Sequence, residues 1–242
     1  MRADKRMLFQ FSVPESTIRA SESYSSPNAK DGRGRVDVHM FRDHLLSKAE
    51  TCQKLQSHSL AELRPGQLIL HSMNRGLTFS QSQQLASLAR LTHEKHFDCR
   101  KFDMGTEILI PGGLVLGITM SASARDFHEL LHEEITSVNY VNSLHPGNIV
   151  GAISYIQSVD DAVGDFQVVT VRTLGIKNLD VKKELNGIGL PQELLEITPR
   201  RLKTKDIETI CKQHCPELCN KIVVQVDRKI LRQAPHQHVF LL

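Results

Sequence analysis

Residues 88–127 combine residue types that could carry out chemistry. His96 lies in a polar turn within LARLTHEKHFD, and Pro111-Gly112-Gly113 then opens an apolar segment, LVLGITMSASA. A histidine exchanges a proton near neutral pH. The first turn of a helix presents unpaired amide groups and a dipole that favour negative charge. This region is therefore the first candidate for a functional site.

A group of potential metal ligands lies near the end of the sequence. Cys211, Cys215 and Cys219 are spaced four residues apart, with His214 between the first two. On one continuous helix the three sulfurs would share a face and could bind zinc or an iron–sulfur cluster. Pro216 argues against an unbroken helix, and free cysteines are commonly buried as small hydrophobic residues. We favour buried cysteines and expect neither a metal nor a cofactor.

The segment HELLH matches the zinc-peptidase pattern H-E-x-x-H. His128 and His132 would bind zinc from one helical face, and Glu129 would act as the general base. The segment follows directly on the apolar helix, and the sequence offers no evident third ligand. A coincidental polar face is the favoured interpretation.

The composition excludes several classes of protein. The chain has 242 residues, of which 40% are hydrophobic and 24% charged, as in a globular protein with a sizeable core. No apolar stretch reaches the length of a membrane span. Five cysteines, an odd number, with no secretory signal favour a reducing compartment. The aromatic content of 5% does not suggest stacking platforms for single-stranded nucleic acid.

The charge is unevenly distributed, although the net charge is only +3. Residues 1–36 are rich in Lys, Arg and Ser and are interpreted as either an organelle-targeting segment or a flexible tail. Two basic runs near the end of the sequence could touch phosphate, although solvated surfaces are the favoured interpretation. The runs consist of Arg200, Arg201, Lys203 and Lys205, then Lys221, Arg228, Lys229 and Arg232.

The remaining periodicity predicts an α+β protein. We expect helices near 38–57, 81–90 (capped by Ser80) and 204–214, and a short strand at 68–70. Small residues in the apolar helix, Gly117, Ser121 and Ser123, would let a sheet approach closely. Strands are expected in EITSVNYVNSL, IVGAISYIQSV, DFQVVTVRTLGI and KIVVQVDRKIL.

Four stretches together resemble the MaoC-like hydratases and dehydratases, and within them the mesaconyl-CoA hydratase and methylmalyl-CoA dehydratase type. They are RGLTFSQSQQLASLARLTHEKHFD, IPGGLVLGITMSA, VNYVNSLHPGNIVGA and VVTVRTLGIKN, in the expected order. The resemblance implies a hotdog fold, in which an antiparallel sheet wraps around a central helix. It places the hotdog domain at 37–178, after the 1–36 segment, and leaves 179–242 as an appendage containing a helix and a strand.

The resemblance also implies hydration or dehydration of an acyl-CoA thioester. His96 aligns with the family's catalytic base, and the backbone amides of Gly112 and Gly113 align with the donors to the thioester carbonyl. Glycines at a helix start also serve turns and close packing, so both interpretations of the pair stay open. Hotdog domains of this family build their site between two halves, which implies a homodimer or docking onto another protein.

The aligned turn departs from the family pattern around the histidine. The polar partner is expected five positions earlier, where Leu91 can neither accept nor donate a proton. Arg90 replaces the usual glycine, and Glu94 and Lys95 replace small residues, so that charged side chains are expected at the mouth of the site. His93 or Glu94 could substitute as the partner only from a shifted turn.

The sequence therefore predicts a catalytically degenerate homologue. It would be a structural or acyl-thioester-binding subunit of a larger assembly. We expect a mitochondrial assembly, and a ribosome, with rRNA contact through the basic runs, is one case. The alternative is an active enoyl-CoA or mesaconyl-CoA-type hydratase that uses His96 as its base.

Overall fold

A computed structural model describes residues 62–127, 130–161, 166–198 and 202–234. The segment assigned to 1–36 and the helix expected near 38–57 lie outside the described residues. Within the described residues, no helix is both long enough and apolar enough to span a bilayer.

In the described part of the chain, six antiparallel strands form one sheet. Their order is β1-β4-β5-β6-β3, and the short β2 also pairs with β4. The bounds are Leu68–Leu70 (β1), Arg75–Gly76 (β2), His132–Tyr140 (β3), Ile149–Asp161 (β4), Phe166–Lys177 (β5) and Ile222–Gln233 (β6). All the predicted strands are present, and β4 extends past the predicted IVGAISYIQSV to Asp161.

Five α-helices and two short 3₁₀ segments accompany the described part of the sheet. The helices are Phe79–Leu88 (α1), Gly112–Phe127 (α2), Val181–Glu184 (α3), Gln192–Leu195 (α4) and Thr204–His214 (α5), and the 3₁₀ segments are Glu94–His96 and Pro216–Leu218. The cap expected at Ser80 is wrong. Thr78 caps α1 instead, since its hydroxyl accepts from the Gln81 amide at 3.3 Å and the Gln81 side chain accepts from the Thr78 amide at 3.0 Å.

Helix α2 lies along the inner face of the sheet against β4, β5 and β6. The closest approach is at Gly175, where a Cβ atom would collide with the side chains of Thr119 and Val224. Ser123 is also fully buried at this contact. Gly117 does not have the packing role expected of it, because it is exposed and a Cβ there would meet nothing within 4 Å. The result is an antiparallel sheet curved around one helix, the arrangement implied by the resemblance.

An outer layer, formed by residues 178–198 and 202–221, covers the opposite face of the sheet. Its apolar side chains, including Leu194, Ile207 and Leu218, pack onto Ile153 and Leu174. Strand β6, which the sequence analysis assigned to an appendage, lies between β5 and β3 inside the sheet. The division at residue 178 therefore does not separate β6 from the sheet.

The central strands are consequently buried on both faces, and they carry one ion pair on the outer face. Arg172 and Asp227 are register partners on β5 and β6, and their side chains are joined by two hydrogen bonds of 2.7 and 2.9 Å. Arg172 also donates to the carbonyl oxygen of Glu196 at 2.5 Å. The guanidinium thus attaches the outer layer to the sheet.

Replacing Asp227 with Ala should destabilise the protein by about 3–5 kcal/mol, because Arg172 would keep its buried charge without a partner. The double variant Arg172→Met/Asp227→Leu should lose much less, since both charges are removed together. Urea denaturation measures both values. The exposed pair Arg64–Glu62 supplies the control, and Glu62→Ala should leave the midpoint unchanged. Equal losses in the single and double variants would show that the charge pairing is unimportant.

Candidate functional site

A cavity of about 310 Å³ opens at the N-terminal end of α2. The loop before α2, the first turn of α2 and the chain leaving β3 form its walls, which are mostly apolar. Its polar side chains are His96, Tyr140, Asn142 and Ser143, and Gly112 also contributes to the lining. The structure thus brings together His96 and Gly112, two of the residues that the sequence analysis selected.

The imidazole of His96 is oriented by the backbone. Its Nδ1 lies 2.8 Å from the carbonyl oxygen of Leu109. A carbonyl oxygen only accepts, so Nδ1 carries the proton and donates it, which leaves Nε2 as an acceptor when the ring is neutral. His145 donates in the same way to the carbonyl of Ile108 at 2.7 Å. Two histidines therefore fix the strand-like segment that leads into Pro111 and α2.

The position expected to hold the acid/base partner does not contribute to the cavity. Leu91 is half-buried just after α1 and does not line the cavity. Neither of the two proposed substitutes lines it: Glu94 pairs with Lys101 at 2.8 Å, and the Nδ1 of His93 accepts from the Lys95 amide at 3.2 Å. The ammonium of Lys95 lies over a phenylalanine ring instead of lining the cavity. The charged crowding expected at the mouth is therefore wrong.

Close packing accounts for a glycine at the start of α2. A Cβ on Gly112 would lie 3.0 Å from Cζ of Tyr140 and 3.2 Å from its Oη. The phenol ring of Tyr140, at the end of β3, is therefore seated directly against this turn. Gly113 follows in the same turn but does not line the cavity. The thioester-binding role expected of the two glycines stays a prediction.

Tyr140 has no local signal that marks it as a site residue, although the strand that carries it was predicted. Tyr140 is 41% exposed, and burial of the rest of the ring raises the pKa of its hydroxyl. The phenol is therefore protonated at neutral pH and can donate a hydrogen bond. Its contact with α2 depends on strand pairing to Val224 of β6, which the local sequence does not reveal.

A second polar cluster, also unforeseen, lies under the C-terminal half of α2. Nδ1 of His71 is 2.5 Å from Oδ2 of Asp126, and its Nε2 is 2.8 Å from Oγ of Ser154. Ser154 in turn contacts Oγ1 of Thr173 at 2.8 Å, and Arg228 donates to Thr173 at 3.4 Å. All of these side chains except Asp126 are buried.

The directions of these hydrogen bonds follow from Asp126. A carboxylate only accepts, so Nδ1 of His71 donates to it, and Nε2 of the neutral ring accepts from Ser154. Ser154 has no second proton, so it accepts from Thr173, which in turn accepts from Arg228. The second branch is consistent, since Ser123 accepts from Arg228 at 2.8 Å and donates to the carbonyl of Met120 at 2.9 Å.

The Asp126–His71–Ser154 order has the spacing of a nucleophilic triad, but its setting is structural. Ser154 is fully buried in the middle of β4, and the cavity at the start of α2 does not reach it. Arg228 is also fully buried and pairs with Glu133 at 2.5 Å. The cluster therefore joins α2 to four strands and does not present a nucleophile.

The cysteines belong to the core of the outer layer. Helix α5 ends at His214, as Pro216 predicts, and His214 is exposed whereas Cys211 and Cys215 are buried. Burial raises the pKa of the Cys211 thiol to about 12 and that of the Cys215 thiol to about 11. Thiols of this kind are poor metal ligands. Among the described residues, no group of three His, Cys, Asp or Glu is placed to hold a metal ion.

The helical face required by the HELLH pattern is also not formed. His132 begins strand β3, and α2 ends at Phe127. His128 and Glu129 lie outside the described residues. A zinc-peptidase site would need His132 one helical turn after His128, and its place at the start of a strand is incompatible with that geometry.

Comparison with solved structures identifies the architecture. A crystal structure described as a MaoC-domain dehydratase from Chloroflexus aurantiacus is 16% identical and has a TM-score of 0.54, and the match covers 75% of this chain and 46% of that one. A Mycobacterium tuberculosis protein described as a double hotdog fold is 12% identical, with a TM-score of 0.48 and coverage of 86% and 49%. The antiparallel sheet around α2 and the first of these matches together show that the chain has the hotdog fold. It spans about half the length of each of these two proteins.

A smaller solved protein gives a third match. The R-hydratase PhaJ1 from Pseudomonas aeruginosa is 13% identical, with a TM-score of 0.43 and coverage of 74% of this chain and 86% of that one. No family model matches the sequence. No curated protein matches it either. At these identities the likeness concerns the fold.

Replacing Arg90 with Gly should stabilise the protein by about 0.5–1 kcal/mol, because Arg90 has a φ of +50° just after α1. Glycine adopts this left-handed conformation without steric cost. The neighbouring Ala89, with a φ of −81°, provides the matched control, and Ala89→Gly should give no gain. Urea denaturation of the two variants measures the difference. Equal effects would show that backbone strain at Arg90 is negligible.

The free energy of unfolding should decrease as the pH falls below about 6.5, the ordinary pKa of a histidine. Burial lowers the pKa of His71 in the folded protein, with Arg228 adding a smaller effect in the same direction and Asp126 opposing it. The unfolded chain then binds more protons than the folded one as the pH drops through 6.5 towards the folded pKa. The stabilisation is complete above 6.5 and is lost through this window.

The slope of unfolding free energy against pH, from urea denaturation between pH 8 and 5, measures this contribution. The variant His71→Gln should have a shallower slope, whereas His93→Gln, at an exposed position, should keep that of the wild type. An unchanged slope in His71→Gln would assign the acid sensitivity to other groups.

Proposed function

We propose that this protein binds an acyl thioester in the cavity at the start of α2 and lacks a complete hydratase acid/base pair. The observation that carries the proposal is the meeting of His96 and Gly112 in one mostly apolar cavity. A volume of about 310 Å³ suits a short acyl chain and its thioester. The family that the sequence resembles has a polar partner for the histidine at the position of Leu91. Here that position holds a leucine that does not line the cavity, so the partner is missing.

The geometry supports half of a hydration reaction. Nε2 of His96 could take a proton from a water molecule while the water oxygen adds to the β-carbon of an enoyl thioester. The electron pair of the double bond would move towards the carbonyl oxygen, where the amide groups at the start of α2 favour negative charge. A proton must then be delivered to the α-carbon. Positioned acid/base groups contribute about 10²–10⁴-fold each, so loss of the partner predicts very slow turnover.

The second candidate is an active enoyl-CoA or mesaconyl-CoA-type hydratase with His96 as its base. One observation favours it: Nδ1 of His96 is held by Leu109, which leaves Nε2 as an acceptor in a side chain that lines the cavity. A protonated tyrosine lines the same cavity. In this candidate, His96 would return the proton that it removed from water.

We further propose that the chain works as a homodimer or docked onto a larger assembly, and that this assembly is mitochondrial, with the ribosome as one case. Only some residues of the two basic runs are available for contact with rRNA. Arg228 and Arg232 are fully buried, and Arg200 and Arg201 lie outside the described residues. Exposed lysines such as Lys203, Lys205 and Lys229 are the members available for phosphate. Sedimentation of the chain with mitochondrial ribosomes from cell extract, abolished by ribosome dissociation, tests this part.

Titration calorimetry with butyryl-CoA and with free CoA tests the proposed binding, and butyryl-CoA should bind more tightly. The variant Gly112→Ala should weaken the binding, because its Cβ would force the Tyr140 ring to move. Gly117→Ala is the matched control on the same helix, since its Cβ meets nothing within 4 Å. Equal affinity for butyryl-CoA and CoA would contradict the proposal.

An assay with crotonyl-CoA and mesaconyl-CoA separates the two candidates. Binding without turnover supports the degenerate protein. Turnover that disappears in His96→Ala would establish the active hydratase and contradict the incomplete acid/base pair.

A further inference from the structure

Tyr140 lies beside the first turn of α2, at the cavity proposed to bind the thioester. Its ring packs on the first residue of α2, with Oη 3.2 Å from the position of a Cβ on Gly112. It also lines the cavity that contains His96. The first turn of a helix is where unpaired amide groups meet a ligand, so the phenol hydroxyl and these amides are adjacent.

Of the three other polar side chains of the cavity, Ser143 is exposed, and Asn142 and His96 already use their donors in other hydrogen bonds. The Nδ2 of Asn142 already donates to Glu208 at 2.7 Å and to the carbonyl of Ile222 at 2.9 Å. His96 uses Nδ1 on the backbone, and its Nε2 is an acceptor when the ring is neutral. The Tyr140 hydroxyl makes no hydrogen bond to any residue in the part of the chain that the structure describes. A phenylalanine would therefore serve the packing on Gly112 equally well.

We propose that the Tyr140 hydroxyl donates a hydrogen bond to the carbonyl oxygen of the bound acyl thioester. This inference rests on the proposed function and names the side chain that recognises the thioester. Because burial raises the pKa of the phenol, the hydroxyl keeps its proton throughout the physiological range. This donor comes from the end of β3, whereas the position of the expected acid/base partner, Leu91, lies in the turn after α1.

The role assigned to Tyr140 is polarisation and not proton transfer. A hydrogen bond to the carbonyl draws electron density from the thioester and would stabilise negative charge on its oxygen. It cannot replace the missing partner, whose task is to move a proton at the α-carbon. The site would thus bind and polarise a thioester even where hydration does not follow.

The carbonyl resonance of [1-¹³C]butyryl-CoA, recorded by NMR with and without the full-length protein, tests this role. Binding to the wild type should move the resonance downfield, as hydrogen bonding to a carbonyl does. Tyr140→Phe should lose most of this shift and bind about tenfold more weakly, the cost of one hydrogen bond. Tyr155→Phe, at a half-buried tyrosine that packs against the outer layer, should match the wild type in both measurements.

The outcomes distinguish a failure of the role proposed for Tyr140 from a failure of the proposed thioester binding. If the wild type does not bind butyryl-CoA, the proposed function fails and the role of Tyr140 fails with it. If the wild type binds and Tyr140→Phe keeps both the shift and the affinity, the inference alone is wrong. If Tyr140→Phe binds more tightly, the phenol obstructs the site and the donor role is likewise wrong. Thermal denaturation of Tyr140→Phe should match the wild type, since the hydroxyl has no partner among the described residues.

Discussion

The central strands β5 and β6 are covered on both faces, and this constraint decides which polar residues the sheet can carry. A buried polar group without a partner costs free energy, and a buried charge costs more. Each face meets the constraint differently. The outer face pairs Arg172 with Asp227 across neighbouring strands. The inner face spreads the charge of Arg228 over hydroxyl groups, Glu133 and a phenylalanine ring.

The same constraint fixes the position of α2 and hence of the cavity. Near its middle the helix approaches the sheet closely because β5 has a glycine there, and its C-terminal half is tied to Arg228 through Ser123. The N-terminal turn is then held against Tyr140 and the loop that contains His96. Two histidines bind consecutive carbonyls of that loop, at Ile108 and Leu109. The cavity is therefore a product of packing at both ends of one helix.

Local patterns in the sequence predicted most of the elements. Residues that lie close together in the sequence indicate each of these elements: the apolar run after Pro111, the alternating strands and the helix at 204–214. The resemblance selected His96 and Gly112, and both residues line the same cavity. Their roles stay a prediction. The order of the sheet was less accessible. Strand β6 carries the same kind of apolar run as the other strands, and nothing local says that it inserts between β5 and β3.

The site residues that the sequence did not reveal were missed for one physical reason. Tyr140 matters because of where strand pairing places it, and His71 because it meets Asp126, which lies 55 positions away. The chain from Arg228 to Ser123 spans 105 positions. Such contacts depend on the whole topology, while turn and helix signals depend on neighbours. The cap at Thr78 was missed for a smaller reason, since Thr78 and Ser80 are both acceptable capping residues and only the geometry distinguishes them.

The outer layer determines what proteolytic cleavage would do to this protein. It is connected to β5 through the exposed Asn178 and to β6 through the exposed Asn220, and it covers Ile153, Leu174 and Ile176 in the sheet. A protease that cut within 178–221 and released this layer would leave a strip of branched aliphatic side chains facing water. An exposed apolar strip of this kind favours association with the same strip on a second copy of the protein. Aggregation, and not merely loss of ligand, would therefore follow from cleavage far from the cavity.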